Sequence, residues 1–551
     1  MNSHATALHG LLRSVEATPD ALALRIVEHT GSALELTYGD LHREVARAAG
    51  AFDELGARPG DRVILSLPTC KDLISLYLGA LVRHVIPVIE PSPHQRGRAS
   101  LAAIDAIRGR VDGRWCIVPT RTLPPDGFWP EWLVAAEDLL RAEPSSRFDP
   151  PQSADICHLQ PTSGSTGSQK IAIVTHRNIA ANVDGIGRAI QLGADDALLF
   201  WLPLFHDMGL IAVSCSLSWQ RPMTITDPSH FIRNPIRFWL GLISEYRATI
   251  TAAPNSAYEA CARLARGRTF EQLDLSSVRA AFWGAEPVFA DSIRRFDWAF
   301  GPYGYRPEAT LPVYGLAEAT LAATVSDVDA GPVAQRLEVD GLREPTTWTT
   351  RPMVSVGRPL DEHVVRVVDA ERQRLPENCI GEIEIAGPSV VASYWIDPQQ
   401  REPVPEPDGF LRTGDLGCLH EGQLYIVGRT KDLIIIRGRN FIPSDIEAFT
   451  EPIVKTGITA GIAAFGMPGV DRTESLHLAI ESRVLPPPDA MALEDRVRKA
   501  IVEEFGISGL TVHWIAKGTI PKTTSGKIQR FRCPAFAEDA HRVATPDMSA
   551  R

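Results

Sequence analysis

Residues 62–90 read RVILSLPTCKDLISLYLGALVRHVIPVIE, and three pieces of this stretch decide the fold class. Arg62 to Leu67 is a short apolar run of the kind a strand buried on both faces needs. Lys71 to Val82 is long and apolar enough for a buried helix, and Val85 to Ile89 is a second buried strand. Strand, helix and strand in this order make a β-α-β unit, the connection that joins parallel neighbours in a sheet. Leu73 to Ile89 is also the best candidate for a membrane span, but Arg83 and His84 interrupt it and it falls short of the length required.

Working outward, the same alternation recurs at Trp115 to Val118, Ile171 to Val174 and Ala197 to Leu202. It predicts parallel sheets covered by helices, with ligands bound beyond the carboxyl ends of the strands. After about Val354 the texture changes to short strands separated by Gly, Pro and Asn: Val364 to Val368, Gly381 to Ile385, Gln423 to Val427 and Leu433 to Ile436. Asp397 to Gly409 and Val484 to Asp489, both containing Pro, read as surface loops. Ser444 and Glu447 have the spacing of a capping box, so a helix is expected to start there. No internal repeat is present, and 551 residues exceed what one hydrophobic core organises.

A net charge of −11 excludes a surface built broadly for nucleic acid or anionic lipid, since such surfaces collect Lys and Arg. The eight cysteines, at 70, 116, 157, 215, 261, 379, 418 and 533, show no CxxC spacing and no Cys/His cluster, which disfavours zinc and disulfide frameworks. The first residues, MNSHATALHGLLRSVEATPD, lack the basic flank and apolar stretch of a secretory signal. The expectation is a cytoplasmic protein without integral membrane association.

Asp155 to Gln160 reads as a strand that runs into Thr162, Ser163, Gly164, Ser165, Thr166 and Gly167, followed by Lys170. Glycines let backbone N–H groups approach phosphate oxygens closely, Ser and Thr add hydroxyl donors, and Lys170 adds a cation. The P-loop pattern is absent, because that requires Gly-Lys followed by Ser or Thr. By itself the loop also reads as a flexible Ser/Gly turn. TSGSTGSQK resembles the phosphate-loop signature of the AMP-binding (adenylate-forming) superfamily, which contains acyl-CoA synthetases, acyl-AMP ligases and nonribosomal peptide adenylation domains.

Further segments resemble that superfamily's other signatures, in the same order, up to residue 530. WLPLFHDMG at 201–209 is similar to the segment bordering the acyl site, where the resemblance places His206 near the substrate carboxylate. Gly284, Ala285 and Glu286 resemble the strand end that walls the adenine pocket. In YGLAEAT at 314–320 the resemblance implies that Tyr314 and Gly315 lie against adenine and that Glu318 holds Mg²⁺. Asp415, in Thr413-Gly414-Asp415, matches the ribose site, where one carboxylate accepts from both hydroxyls. Gly428 to Asp432 resembles the inter-domain hinge, with Arg429 reaching ribose or phosphate and Lys431 as the pivot. PKTTSGK at 521–527 resembles the loop that carries the catalytic lysine, Lys527. Leu36-Thr37-Tyr38 and Pro59-Gly60-Asp61 are similar to the superfamily's N-terminal landmarks, so the resemblance covers nearly the whole chain.

Within the superfamily the chain most resembles the fatty acyl-AMP ligases. The forms WLPLFHDMGL and YGLAEAT, the extended stretch from Val325 to Met353, and Arg437-Gly438-Arg439-Asn440 carry that likeness. Gln169 and Ile171 depart from the Pro and Gly that many relatives have, and Ala212 to Cys215 with Trp219 replace positions expected to be richer in Gly.

The resemblance implies an α/β fold with a large N-terminal domain, 1–430, of packed and mostly parallel sheets plus a small β-barrel-like subdomain. A small mobile α+β domain, 431–551, would carry Lys527. It further implies that ATP and Mg²⁺ activate a carboxylic acid, expected to be a fatty acid, as its acyl-AMP. The acyl group would then pass to the phosphopantetheine thiol of an acyl-carrier protein or a polyketide/nonribosomal peptide carrier domain. The alternatives are an acyl-CoA synthetase and a catalytically degenerate nucleotide-binding homologue.

Overall fold

A computed structural model describes residues 6–93, 100–123, 129–162, 170–337, 352–437, 439–455, 459–469, 473–522 and 528–537. The 62–90 stretch folds as its composition requires. Strand Arg62–Leu65 leads into helix Lys71–Val82 and strand Ile86–Ile89, and the two strands pair in parallel. Val63, Ile64 and Leu65 are fully buried, because helices cover both faces of such a sheet. Burial of each contributes roughly 1.5–3 kcal/mol. Trp115–Val118 and Leu133–Ala135 complete this parallel sheet.

The largest sheet among the described residues has nine strands. Its parallel centre runs, in spatial order, Thr310–Gly315, Ala280–Gly284, Ile250–Pro254, Leu198–Phe200, Met223–Thr226 and Leu22–Val27. Antiparallel strands close both edges: Ala33–Thr37 beside Leu22–Val27, and Ala322–Val325 with Arg358–Pro359 beyond Thr310–Gly315. From Leu198–Phe200 the chain moves to one side for Met223–Thr226, then returns to the other side for Ile250–Pro254. The strand order therefore reverses between Leu198–Phe200 and Ile250–Pro254. A crevice opens at such a reversal, because the connections leave the strand ends in opposite directions.

One expectation is corrected. Strands Ile156–Pro161 and Ile171–Thr175, on either side of the Ser/Gly loop, are antiparallel and belong to a separate four-stranded sheet with Ser393–Trp395 and Arg401–Pro403. The link between them is too short for a parallel crossover, which takes about a dozen residues or more. Arg401–Pro403 also corrects the reading of 397–409 as loop alone. It is an exposed edge strand, and its charged residues and Pro conceal its strand character in the sequence.

Four antiparallel strands, Val364–Val368, Gly381–Ala386, Leu411–His420 and Gln423–Arg429, form the small β subdomain. The ends of the extended 325–353 stretch pack here. Ala334–Gln335 pairs with Met353–Val354, and Leu337 is buried against Ile380, Leu416 and Tyr425. Residues 338–351 of that stretch lie outside the described residues.

Beyond Lys431, strands Thr459–Pro468, Glu474–Ser482 and Leu510–Ala516 pack with helices Pro443–Val454 and Ala490–Phe505 around Ile446, Leu478, Val497 and Ile501. The helix expected at Ser444 begins at Pro443, but without a capping box: Ile442 is the N-cap and no side chain caps it. Glu447 instead receives the N–H of Ala464 and both of its oxygens accept from Arg530, which also pairs with Asp432. A buried guanidinium needs a carboxylate more than a helix end does. The eight cysteines form no disulfide with one another, and no described helix is long and apolar enough to cross a membrane.

Candidate active site

A cavity of about 630 Å³ lies at the carboxyl ends of the central parallel strands, at the strand-order reversal. Its lining is of two kinds: polar and charged residues, among them Tyr314, Glu318, Thr413, Arg429 and Lys431, and apolar ones, including Ile190, Phe200, Ile250 and Phe282.

The polar wall is assembled by strand ends. Tyr314 and Gly315 finish strand Thr310–Gly315. A Cβ on Gly315 would sit 1.7 Å from the carbonyl oxygen of Leu321, so only glycine lets the chain turn back here. The turn that follows, Ala317–Ala319, presents Glu318 to the cavity. It is braced by Asn182, a fully buried amide whose Nδ2 donates to the carbonyl of Ala322 at 2.7 Å and whose Oδ1 accepts from the N–H of the same residue.

Asp415 and Arg429 are direct partners across two antiparallel strands, and Arg429 Nε donates to Asp415 Oδ1 at 2.8 Å. Gly414, with φ of +69°, sits in an irregularity of its strand that turns Asp415 toward this partner. The phenol of Tyr314 donates to Asp415 Oδ2 at 2.6 Å. Burial, and then the Asp415 charge, push the Tyr314 phenol well above its ordinary value, so it remains a donor. Asp415, followed by the other nearby acids, likewise holds Arg429 above the usual guanidinium range against its burial.

Thr162, at the start of the Ser/Gly loop, is buried and its N–H donates to the carbonyl of Lys170 at 2.8 Å. Ser163, Gly164, Ser165, Thr166 and Gly167, like Lys527, lie outside the described residues. Lys170 lines the cavity, yet its ammonium pairs with Glu402 at 2.8 Å and stands 4.4 Å from the centre of the Tyr394 ring. Tyr394 in turn donates to Glu318 Oε1 at 2.8 Å.

His206 is the N-cap of helix Asp207–Trp219 and lines the cavity. Met208, Ile211, Ala212 and Cys215 share one face of that helix, at the spacing of its turns, and form part of the apolar wall. Burial pushes the Cys215 thiol up to about 12, which makes it lining and not a nucleophile. Trp219 stays out of the cavity. It packs on Gly187, where a Cβ would lie 2.2 Å from the indole.

Ala285 reaches the cavity, whereas Gly284 and Glu286 are not among its lining residues. Gly284 permits close packing, since a Cβ there would meet Val313 Cγ2 at 2.8 Å. Glu286 accepts from the N–H and hydroxyl of Ser256, at the start of helix Asn255–Ala265. Sequence reasoning missed Gln160, Tyr394 and Glu402. Gln160 lines the cavity and donates to the carbonyl of Phe205 at 3.0 Å, tying the loop strand to the His206 segment. No spacing in the sequence signals any of these long-range contacts.

A family model described as AMP-binding enzyme matches residues 11–395. The chain belongs to the AMP-binding enzyme family. Among its relatives is FadD32 of Mycolicibacterium smegmatis, a long-chain-fatty-acid–AMP ligase, 31% identical over 94% of this chain and 91% of its own. JamA of Moorena producens, a medium-chain-fatty-acid–[acyl-carrier-protein] ligase, is 31% identical over 90% of this chain and 89% of its own. A fatty acyl-adenylate ligase of L. pneumophila, solved with acyl adenylate and pyrophosphate, has a TM-score of 0.73 at 28% identity, covering 98% of this chain and 97% of that one.

Proposed function

We propose that the protein activates a fatty acid with ATP as its acyl-AMP and then delivers the acyl group to the phosphopantetheine thiol of a carrier protein. One observation carries this reading: a single cavity joins an apolar wall to the Tyr314–Asp415–Arg429 cluster and Glu318. The names of FadD32, JamA and the L. pneumophila ligase support both steps.

In the first step a carboxylate oxygen of the acid attacks the α-phosphorus, the bond to the bridging oxygen breaks, and pyrophosphate leaves. In the second, the thiolate attacks the acyl carbonyl and AMP leaves with the electrons of the broken C–O bond. Asp415 would take the ribose hydroxyls, its carboxylate held by Tyr314 and Arg429. Ala285, Tyr314 and Gly315 would border the base. Thr162 to Gly167 and Lys170 would face the phosphates, and His206 would stand at the junction with the acyl wall.

Glu318 fits a magnesium site, since Mg²⁺ takes one or two carboxylates and completes its shell with phosphate oxygens and water. Bound there, the ion would neutralise the pyrophosphate charge as it leaves. Lys527 would stabilise the charge that builds during displacement, and residues 431–551 would turn about Lys431 to admit the carrier thiol.

The test is incubation with ATP, Mg²⁺ and a series of acids, followed by CoA or a holo carrier protein. Acyl-AMP that persists with CoA and is consumed by the carrier supports the proposal. Rapid acyl-CoA formation would replace it with a CoA ligase, and the absence of any acyl-AMP would end it.

A further inference from the structure

We propose that Tyr394 is a positioning residue that orients the Glu318 carboxylate for the metal–nucleotide complex. The inference rests on the proposed role of Glu318 in holding Mg²⁺.

Tyr394 is the middle residue of strand Ser393–Trp395 and pairs with Ala172 on one side and Glu402 on the other. This places it between strand Ile171–Thr175 and the exposed edge strand, within reach of the Glu318 turn. Its hydroxyl donates to Glu318 Oε1 at 2.8 Å, and both residues line the cavity. The backbone supports the same contact. The N–H of Val391 donates to the carbonyl of Glu318 at 2.9 Å, and Thr320 Oγ1 donates to the carbonyl of Ser389 at 2.6 Å. The chain leading into the Tyr394 strand is thus fastened to Glu318 and to Thr320, the residue that follows its turn.

Packing alone does not require this arrangement. A phenylalanine would fill the same space, and the hydroxyl is the part that meets Glu318. An unrestrained glutamate samples several rotamers and loses that freedom when it takes a cation. A phenol bound to one carboxylate oxygen imposes the orientation beforehand and leaves acceptor capacity for the ion. The Lys170 ammonium lies over the same ring, 4.4 Å from its centre. Its pair with Glu402 is 45% and 47% exposed, so that contact is weak and gives way to a multiply charged anion.

The experiment measures ATP binding to the full chain by calorimetry without Mg²⁺ and across a Mg²⁺ series, for the parent, Tyr394→Phe, Glu318→Gln and the double variant. Tyr394→Phe is expected to raise the half-saturating Mg²⁺ concentration about tenfold while metal-free ATP affinity stays within about twofold. In the Glu318→Gln background the same change is expected to add nothing, because the two side chains act as one unit. If Glu318→Gln shifts the Mg²⁺ series but Tyr394→Phe matches the parent, Tyr394 only packs and this inference alone is overturned. Additive effects in the double variant overturn it as well. A Mg²⁺ series unchanged by Glu318→Gln removes the metal role of Glu318, and the inference falls with it.

Discussion

The hydroxyl of Tyr314 donates to Oδ2 of Asp415 at 2.6 Å, across 101 positions of sequence. It joins the end of a central parallel strand to the β subdomain, and the Arg429 pair on Oδ1 completes the clamp. Removing the hydroxyl with Tyr314→Phe leaves the Asp415 carboxylate held from one side only. A hydrogen bond to a charged group contributes about 1.5–3 kcal/mol, so the KM for ATP is expected to rise about tenfold or more. Steady-state kinetics at saturating fatty acid measure this, and an unchanged KM would remove Asp415 orientation from the account of ribose binding.

Lys527→Ala is expected to lower acyl-AMP formation ~100-fold or more, the usual cost of deleting a group that stabilises developing charge. ATP binding by calorimetry is expected to stay within about twofold of the parent. Full adenylation activity in this variant would sink the assignment of Lys527.

Ala212 lies on the helix face that lines the apolar wall. Ala212→Phe is expected to shorten the preferred acid. Excluding about four methylenes forfeits ~3 kcal/mol of burial at ~0.8 kcal/mol each, roughly a hundredfold in kcat/KM for long acids relative to short ones. The chain-length profile is read as a ratio, so it is insensitive to any loss of folded protein. A profile identical to the parent's would place the acyl chain elsewhere.

His158 and His176 are both 3% exposed. Burial, reinforced by the charge of His176, brings His158 down to about 3; burial, opposed in part by Asp155, brings His176 to about 4. Each folded-state value lies below the ordinary 6.5, so the unfolded chain binds protons more readily. The stability these rings contribute is complete above about pH 6.5 and falls as the pH drops toward 4 and then 3. At pH 5 the loss is roughly 2 kcal/mol for each buried ring. Urea unfolding midpoints between pH 7.5 and 5 measure the slope, and His176→Asn is expected to flatten it.

Much of the site was legible because its parts are local. Thr162, Tyr314, Glu318, Asp415 and Arg429 were singled out in short segments, the last four by resemblance to a family's signatures; the structure brings Thr162, Tyr314, Glu318 and Arg429 to one cavity and bonds Asp415 to Tyr314 and Arg429. Glu286 was harder to read. A carboxylate after a strand-ending glycine serves a helix start as readily as a ligand, and only the Ser256 contacts tell the two apart. The Ser444–Glu447 spacing located the helix start within a residue but not its cap, for a related reason. A capping box is a local preference, and here a buried arginine from 83 positions away claims the glutamate.

The β-α-β reading of 62–90 was decided by the sequence alone. Buried apolar runs of strand and helix length admit few other packings, and the parallel sheet follows from the connection between them. The neighbouring claim of parallel strands around the Ser/Gly loop failed, because strand direction depends on connection length and on which partners are within reach. Tertiary structure alone decided that Tyr394 meets Glu318, that Lys170 rests on Glu402, and that apolar side chains share one cavity with Tyr314 and Arg429. These contacts join residues 76 to 232 positions apart, and their energy depends on distances and burial that exist only after the sheets have packed.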